Sequence, residues 1–158
     1  MEKVRTALDE IFFLGIEPDS LGVYRAYFDR DNIKVLHVAR PGDHVGALGT
    51  HPDMLKQIAK DRAKIREQPN RYVLIPTYSS NMAYNDMLDF ANLQEPELMN
   101  KLLHVLSQPR PFAGFLGIVS ENSELRNQWE GYKIKQKYDF IKEWANENNI
   151  TVFDKFLA

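Results

Sequence analysis

The stretch Val23-Tyr24-Arg25-Ala26-Tyr27-Phe28-Asp29-Arg30-Asp31-Asn32-Ile33-Lys34-Val35-Leu36-His37-Val38-Ala39 decides the fold class. Val23 to Asp29 and Ile33 to Ala39 are two runs rich in aromatic and β-branched residues, which suit a pleated, half-buried surface. Arg30, Asp31 and Asn32 separate them, and the spacing predicts a β-hairpin. A two-residue turn at Asp31-Asn32 sets Asp29 opposite Lys34, Phe28 opposite Val35 and Tyr27 opposite Leu36, giving one opposite-charge pair and two apolar pairs. Further on, Tyr72-Val73-Leu74-Ile75 is closed by Pro76 and reads as a third strand beside the hairpin.

Around these strands the pattern turns to helices. Val4, Leu8 and Ile11 at helical spacing, with Gly15 and Pro18 as stops, predict a short helix from about Lys3 to Leu14. Pro52 fits the first turn of a helix running to about Gln68, in which charged residues outnumber apolar ones, so that helix should be largely exposed. Beyond Ser79 four more are expected: Met82 to Leu93, Pro96 to Ser107, a short apolar piece from Phe112 to Val119, and a long helix from Glu124 to Asn146. The fold class expected is therefore α+β: a small antiparallel sheet of about three strands (hairpin near 23–39, strand near 71–76) packed with helices, the C-terminal half mostly helical. Division near Ser79 would leave two marginal cores, so residues 1–158 are read as a single domain. On a wheel of about 100° per residue, Leu125, Trp129 and Tyr132 share one face of the long helix while Ile134, Tyr138, Ile141 and Ala145 share the opposite one. That helix must bend near Gly131 or be covered first on one side and then on the other.

Composition narrows the function classes. The 158-residue chain is 44% hydrophobic and 27% charged, which is ordinary for a globular protein. Its formal net charge of -2 gives no general attraction to nucleic acid or anionic membranes. With no cysteine there is neither a disulfide framework nor a thiolate metal site, which suits a reducing cytoplasm. No segment approaches the roughly 20 apolar residues of a membrane span, and Met1-Glu2-Lys3-Val4-Arg5 does not read as a leader. A cytoplasmic location is expected.

Two constellations carry candidate chemistry. Asp43, His44, His51 and Asp53, gathered in and beside the glycine-rich loop from Pro41 to Pro52, could offer nitrogen and oxygen ligands to a divalent metal. They lack the helical His-Glu-x-x-His spacing, and the glycines fit no phosphate or dinucleotide fingerprint, so a surface loop is the preferred reading. In the long helix, Arg126, Lys133 and Lys137 fall on one strip with Trp129 nearby, a pattern that could meet a phosphate backbone and stack on bases. A solvated charged face beside a buried aromatic one explains the same residues and is preferred. Lys56, Lys60, Lys64, Arg62, Arg66 and Arg71 form a second basic group, partly offset by Asp53, Asp61 and Glu67. His37 and His104 have no partner in sequence, no nucleophile-elbow pattern occurs, and no cofactor is called for.

Short motifs across the chain resemble a bacterial family of unassigned function, the uncharacterised protein family 0158 (UPF series). They are Asn70-Arg71-Tyr72 with Ile75-Pro76, Met87 with Asp89-Phe90, Leu102-Leu103, Phe112 with Phe115, Leu125-Arg126 with Trp129, and Trp144 with Glu147 and Ile150; Tyr27-Phe28-Asp29 resembles that family's early strand. Gln108-Pro109-Arg110-Pro111 and the loop from Gly42 to Gly49 depart from the pattern. The resemblance implies no activity, cofactor or catalytic residue. The functional expectation is a small non-catalytic binding or regulatory module acting through contacts with another protein, which the Met-rich helices from Met82 to Met99 would suit. A nucleic-acid-associated regulator using the basic faces comes second and a metal-dependent enzyme third.

Overall fold

The hairpin forms in the expected register in a computed structural model, which describes residues 4–7, 11–12, 15–17, 24–39 and 52–153. Strands β1 (Val4–Ala7), β2 (Tyr24–Asp29) and β3 (Lys34–Ala39) are followed by helix α1 (Pro52–Glu67) and strand β4 (Tyr72–Leu74). Helices α2 (Ser80–Asn92), α3 (Pro96–Leu106), α4 (Pro111–Val119) and α5 (Ser123–Glu147) and strand β5 (Ile150–Phe153) complete the described chain. Asp29 faces Lys34, Phe28 faces Val35 and Tyr27 faces Leu36. β4 adds antiparallel to β2, so the sheet order is β3-β2-β4. This is the α+β class that the sequence indicates.

The hairpin turn differs from the expected two-residue form. Arg30 to Ile33 make a four-residue loop closed by Ile33 N–H donating to the Asp29 carbonyl at 2.9 Å, with Ile33 at φ 53°. The Asp29 side chain organises this loop. Its carboxylate accepts from the amides of Asp31 and Asn32 and from Asn32 Nδ2, which substitutes side-chain acceptance for a tight backbone turn. It is 2% exposed and also takes a forked pair from Arg71, Nε at 2.9 Å and Nη2 at 3.1 Å. Burial alone would raise the Asp29 pKa, but the Arg71 hydrogen bond, the two amides and the Arg71 charge together hold it below its ordinary 3.8.

The expected N-terminal helix is corrected at its start. Val4–Ala7 is a strand paired in parallel with Ile150–Phe153, Val4 lying beside Ile150 and Ala7 beside Phe153. Helical spacing was carried there by only three residues, and pairing with a strand some 140 positions away overrides so weak a local preference. Helical backbone occurs at Ile11 and Phe12, and Gly15 lies in a turn whose amide donates to the Ile11 carbonyl at 2.9 Å. A Cβ at Gly15 would lie 2.8 Å from the Ile11 carbonyl oxygen and 3.0 Å from the Ile75 side chain, so only glycine fits.

The contacts gather into two compact units, residues 1–77 with 140–158, and residues 78–139. In the first, Phe28, Ile75, Ile141, Ala145 and Ile150 are buried, the Phe28 and Trp144 rings meet edge to face at 6.3 Å, and Trp144 Nε1 donates to the Leu74 carbonyl at 2.9 Å. α5 ends at Glu147, one residue beyond the expected Asn146, and Asn149 at φ 56° takes the left-handed conformation that closes helices. In the second unit, Met87, Phe90, Leu102, Leu106, Phe115, Val119 and Trp129 form one cluster. Trp129 is 2% exposed and its ring packs against Phe115 at 4.8 Å and Phe90 at 5.3 Å. Trp129 of the long helix is thus buried in the second unit, and Ile141 and Ala145 are buried in the first.

Two outcomes follow from these packings. Trp129→Ala should lower the stability of the chain by roughly 3 to 5 kcal/mol, read from urea unfolding curves, because it empties a large aromatic site. Asp29→Asn should cost roughly 1.5 to 3 kcal/mol at neutral pH, the range for hydrogen bonds to a charged group. Because the folded-state pKa of Asp29 is depressed, its contribution is present above the unfolded value of 3.8 and is lost as pH falls through the folded value. Unfolding curves of the wild type should therefore weaken on acidification more steeply than those of Asp29→Asn, and parallel acid limbs would refute this account.

Candidate functional site

Helix α4, Pro-Phe-Ala-Gly-Phe-Leu-Gly-Ile-Val from Pro111 to Val119, contains no charged or hydrogen-bonding side chain. A helix that is apolar all round is normally buried all round. Here Phe115 and Val119 enter the core of the second unit, while Phe112, Ala113, Leu116 and Gly117 are exposed, Phe112 at 37% and Leu116 at 43%. Positions 112 and 116, and 113 and 117, are each one turn apart, so the four residues make one continuous stripe. The local sequence explains the placement. Pro111 starts the helix, and Arg110 before it turns the chain at φ 56°. Gly114 lets α4 lie close to α3, since a Cβ there would stand 3.0 Å from Val105 Cβ. The Phe112 ring rests edge to face on Tyr84 at 6.5 Å, which holds that end of the stripe in place.

Among the residues singled out from sequence, Asp43, His44 and His51 lie outside the described residues. Asp53 is exposed in the first turn of α1. Among the described residues no group of three or more His, Asp or Glu side chains is placed to hold a metal. On α5, Arg126 is exposed, Lys133 pairs with Glu130 at 3.0 Å, and Lys137 Nζ stands 5.6 Å above the Tyr78 ring. Trp129 is in the core, so the base stacking that the wheel allowed is closed to it. Arg71, counted with the basic group near α1, is committed to Asp29 and Asp31. Met87, from the Met-rich helices, is buried in the cluster.

The sequence reading did not single out the α4 face. Its signal was legible as nine consecutive residues without a polar side chain, but which of them stay uncovered depends on packing. An open groove of about 620 Å³ lies elsewhere in the same unit, lined by Glu95, Glu97, Leu98, Lys101, Glu124 and Leu125 among others. Its walls are mostly acids and amides, with Lys101, Leu98 and Leu125 among them.

The second unit also buries a titratable pair. Tyr78 Oη donates to Asp86 Oδ2, and the two residues are 6% and 8% exposed. Burial first, and Asp89 in addition, push the Asp86 carboxyl up, against the Tyr78 hydrogen bond and Lys137 that pull it down. Burial and Asp86 also raise the Tyr78 phenol. Perturbed pairs of this kind can mark active sites. Here both partners are enclosed and bonded to each other, and the arrangement serves the core.

The fold is α+β, and α4 leaves one apolar face exposed. A family model described as "Uncharacterised protein family (UPF0158)" matches residues 50–157, so the chain belongs to that family. The match takes in every resemblance motif except Tyr27-Phe28-Asp29. A UPF0158 protein of Pseudomonas aeruginosa is 27% identical over 89 residues, covering 56% of this chain and 58% of the relative's length. No solved structure matches the chain. Most residues that carry the resemblance, among them Tyr72, Ile75, Met87, Phe90, Leu102, Phe115, Trp129, Trp144 and Ile150, are buried, and Arg71 holds the Asp29 carboxylate. Among the described residues no helix is long and apolar enough to cross a membrane.

Asp86 supplies a test with a definite sign. Its folded-state pKa is raised, so the stability it contributes is present below the unfolded value of 3.8 and is lost as pH rises through the folded value. Asp86→Asn still accepts from Tyr78 and carries no charge to desolvate. It should be as stable as the wild type or more so at pH 7, with a flatter stability profile above the unfolded value. Urea unfolding across mildly acidic to neutral pH reads this, and a large loss at pH 7 would contradict it.

Proposed function

We propose that this chain is a small bacterial cytoplasmic binding or regulatory protein that acts through contact with another protein, and that the exposed stripe of α4 is the contact. The single observation that carries the reading is a nine-residue helix without a polar side chain, half of it left in solvent. Leaving apolar area in water costs about 25 cal/mol per Å² relative to burying it, and a partner recovers that term. Contiguous apolar patches are the surfaces by which proteins meet, unlike single scattered apolar residues. The absence of cysteine suits the cytoplasmic location.

A second reading, association with nucleic acid, draws on α1, where Lys56, Lys60 and Lys64 succeed one another at helical spacing and are exposed. Asp53, Asp61 and Glu67 on the same helix offset their field, and the paired Lys133 weakens the α5 strip. The α4 stripe is the better supported surface.

The deciding experiment is capture from a bacterial extract with a photo-crosslinking residue at Ser120, run with and without nuclease. A protein should be captured in both, and Leu116→Lys should abolish capture while leaving the unfolding midpoint within about 0.5 kcal/mol, as for an exposed position. Nuclease-sensitive recovery, or capture indifferent to Leu116→Lys, would reject the α4 reading.

A further inference from the structure

We infer that the occupant of the α4 face is a second copy of this chain, packed antiparallel about a twofold axis near residue 115; the inference rests on the reading of α4 as a protein contact. Shape is the first argument. Phe112 and Leu116 project from the stripe, while Ala113 and Gly117 leave it low beside them, and apart from its chain neighbours and the helix's own backbone no described atom lies within 4 Å of where a Gly117 Cβ would stand. Two small residues one turn apart let another helix approach closely. With Ala113 of each copy across from Gly117 of the other, Leu116 of each enters the space over that small pair. One face thus carries both the projection and the hollow, which is the self-complementarity that a twofold contact requires.

Charge is the second, independent argument. Between Pro111 and Val119 there is no charged residue, but Arg110 stands immediately before the helix and Glu121 just beyond it. Both are exposed, and neither is in an ion pair among the described residues. At 1.5 Å per residue they bracket roughly 16 Å of chain. In an antiparallel pair centred near residue 115, Arg110 of each copy falls beside Glu121 of the other at both ends of the contact. A parallel pair would set Arg110 against Arg110 and Glu121 against Glu121, and would align the two helix dipoles as well. The contact is short. A helix of about 14 Å supplies much less than the roughly 800 Å² per partner of a stable interface, so the pairing is a weak, reversible one.

Sedimentation equilibrium of the 158-residue chain at low ionic strength, up to about a few hundred micromolar to reach weak pairing, tests the inference. The wild type should show reversible dimerisation. Arg110→Glu or Glu121→Arg alone should weaken it roughly threefold to tenfold, as expected for exposed charges turned from attraction to repulsion at both ends of the contact. The double variant Arg110→Glu with Glu121→Arg should restore it, because the opposite charges face each other again. Gly117→Leu meets no packed neighbour, so its unfolding curve should show no loss of stability, and a gain of up to about 1 kcal/mol from helix propensity, while dimerisation falls at least roughly tenfold from filling the hollow. A chain that is monomeric throughout, a dimer indifferent to Gly117→Leu, or a double variant no better than either single one would each overturn self-pairing. A monomeric chain whose capture of a different protein is abolished by Leu116→Lys would overturn self-pairing alone and leave the α4 contact standing.

Discussion

A carboxylate sealed from solvent at the end of a hairpin sets the terms for the sheet. Asp29 must be compensated wherever it is buried, and hydrogen bonds from Arg71, from the Asp31 and Asn32 amides and from the Asn32 side chain supply the compensation. The amides shape the four-residue turn. Arg71 immediately precedes β4, so the same pair that neutralises the carboxylate brings the third strand to β2, with Asp29 beside Tyr72 in the ladder. Arg30 N–H donating to the Arg71 carbonyl at 3.0 Å adds a backbone tie at the same place. A change that leaves the charge without a partner therefore acts on turn, register and strand order together.

Helix α4 is the complementary case, a segment whose own chemistry is incompletely satisfied within the described fold. Its inward residues, Phe115 and Val119, are as deeply buried as any in the chain. Its outward residues are no less apolar, and a helix needs only one such face to join a core. The excess is what the proposed partner would cover, and the flanking charges and the alternation of bulky and small residues describe the chemistry such a partner would need.

Much of the fold was legible because its signals are local. The hairpin register follows from where the turn falls, and Asp29 opposite Lys34 is as the residues required. The starts of α2, α3 and α4 lie within two residues of those expected, and the Ser79 hydroxyl accepts from Met82 N–H at 3.2 Å. Both faces of α5 were visible on the helical wheel. The N-terminal strand was not, because four residues that pair with the distant Ile150 to Phe153 leave no periodic trace of their partner. The candidate site was half legible: the apolar run of α4 was plain, but attention went to aromatic and basic residues of α5, where Trp129 proved to be core and Lys133 already paired.

Residue order by itself determined the α+β class, the limits of α1 to α5 to within two residues and the hairpin register, since each depends on side chains within a turn or two of one another. It also ruled out disulfides and thiolate chemistry, by composition alone. Only the tertiary structure decided that Arg71, 42 positions from Asp29, is its counter-ion rather than part of a basic surface. It likewise decided that β1 closes on β5, and that of two equally apolar faces on α4 one is covered and the other is left to solvent. These are questions of which distant groups come to share a dielectric and a surface, and they have no answer until the chain has folded back on itself.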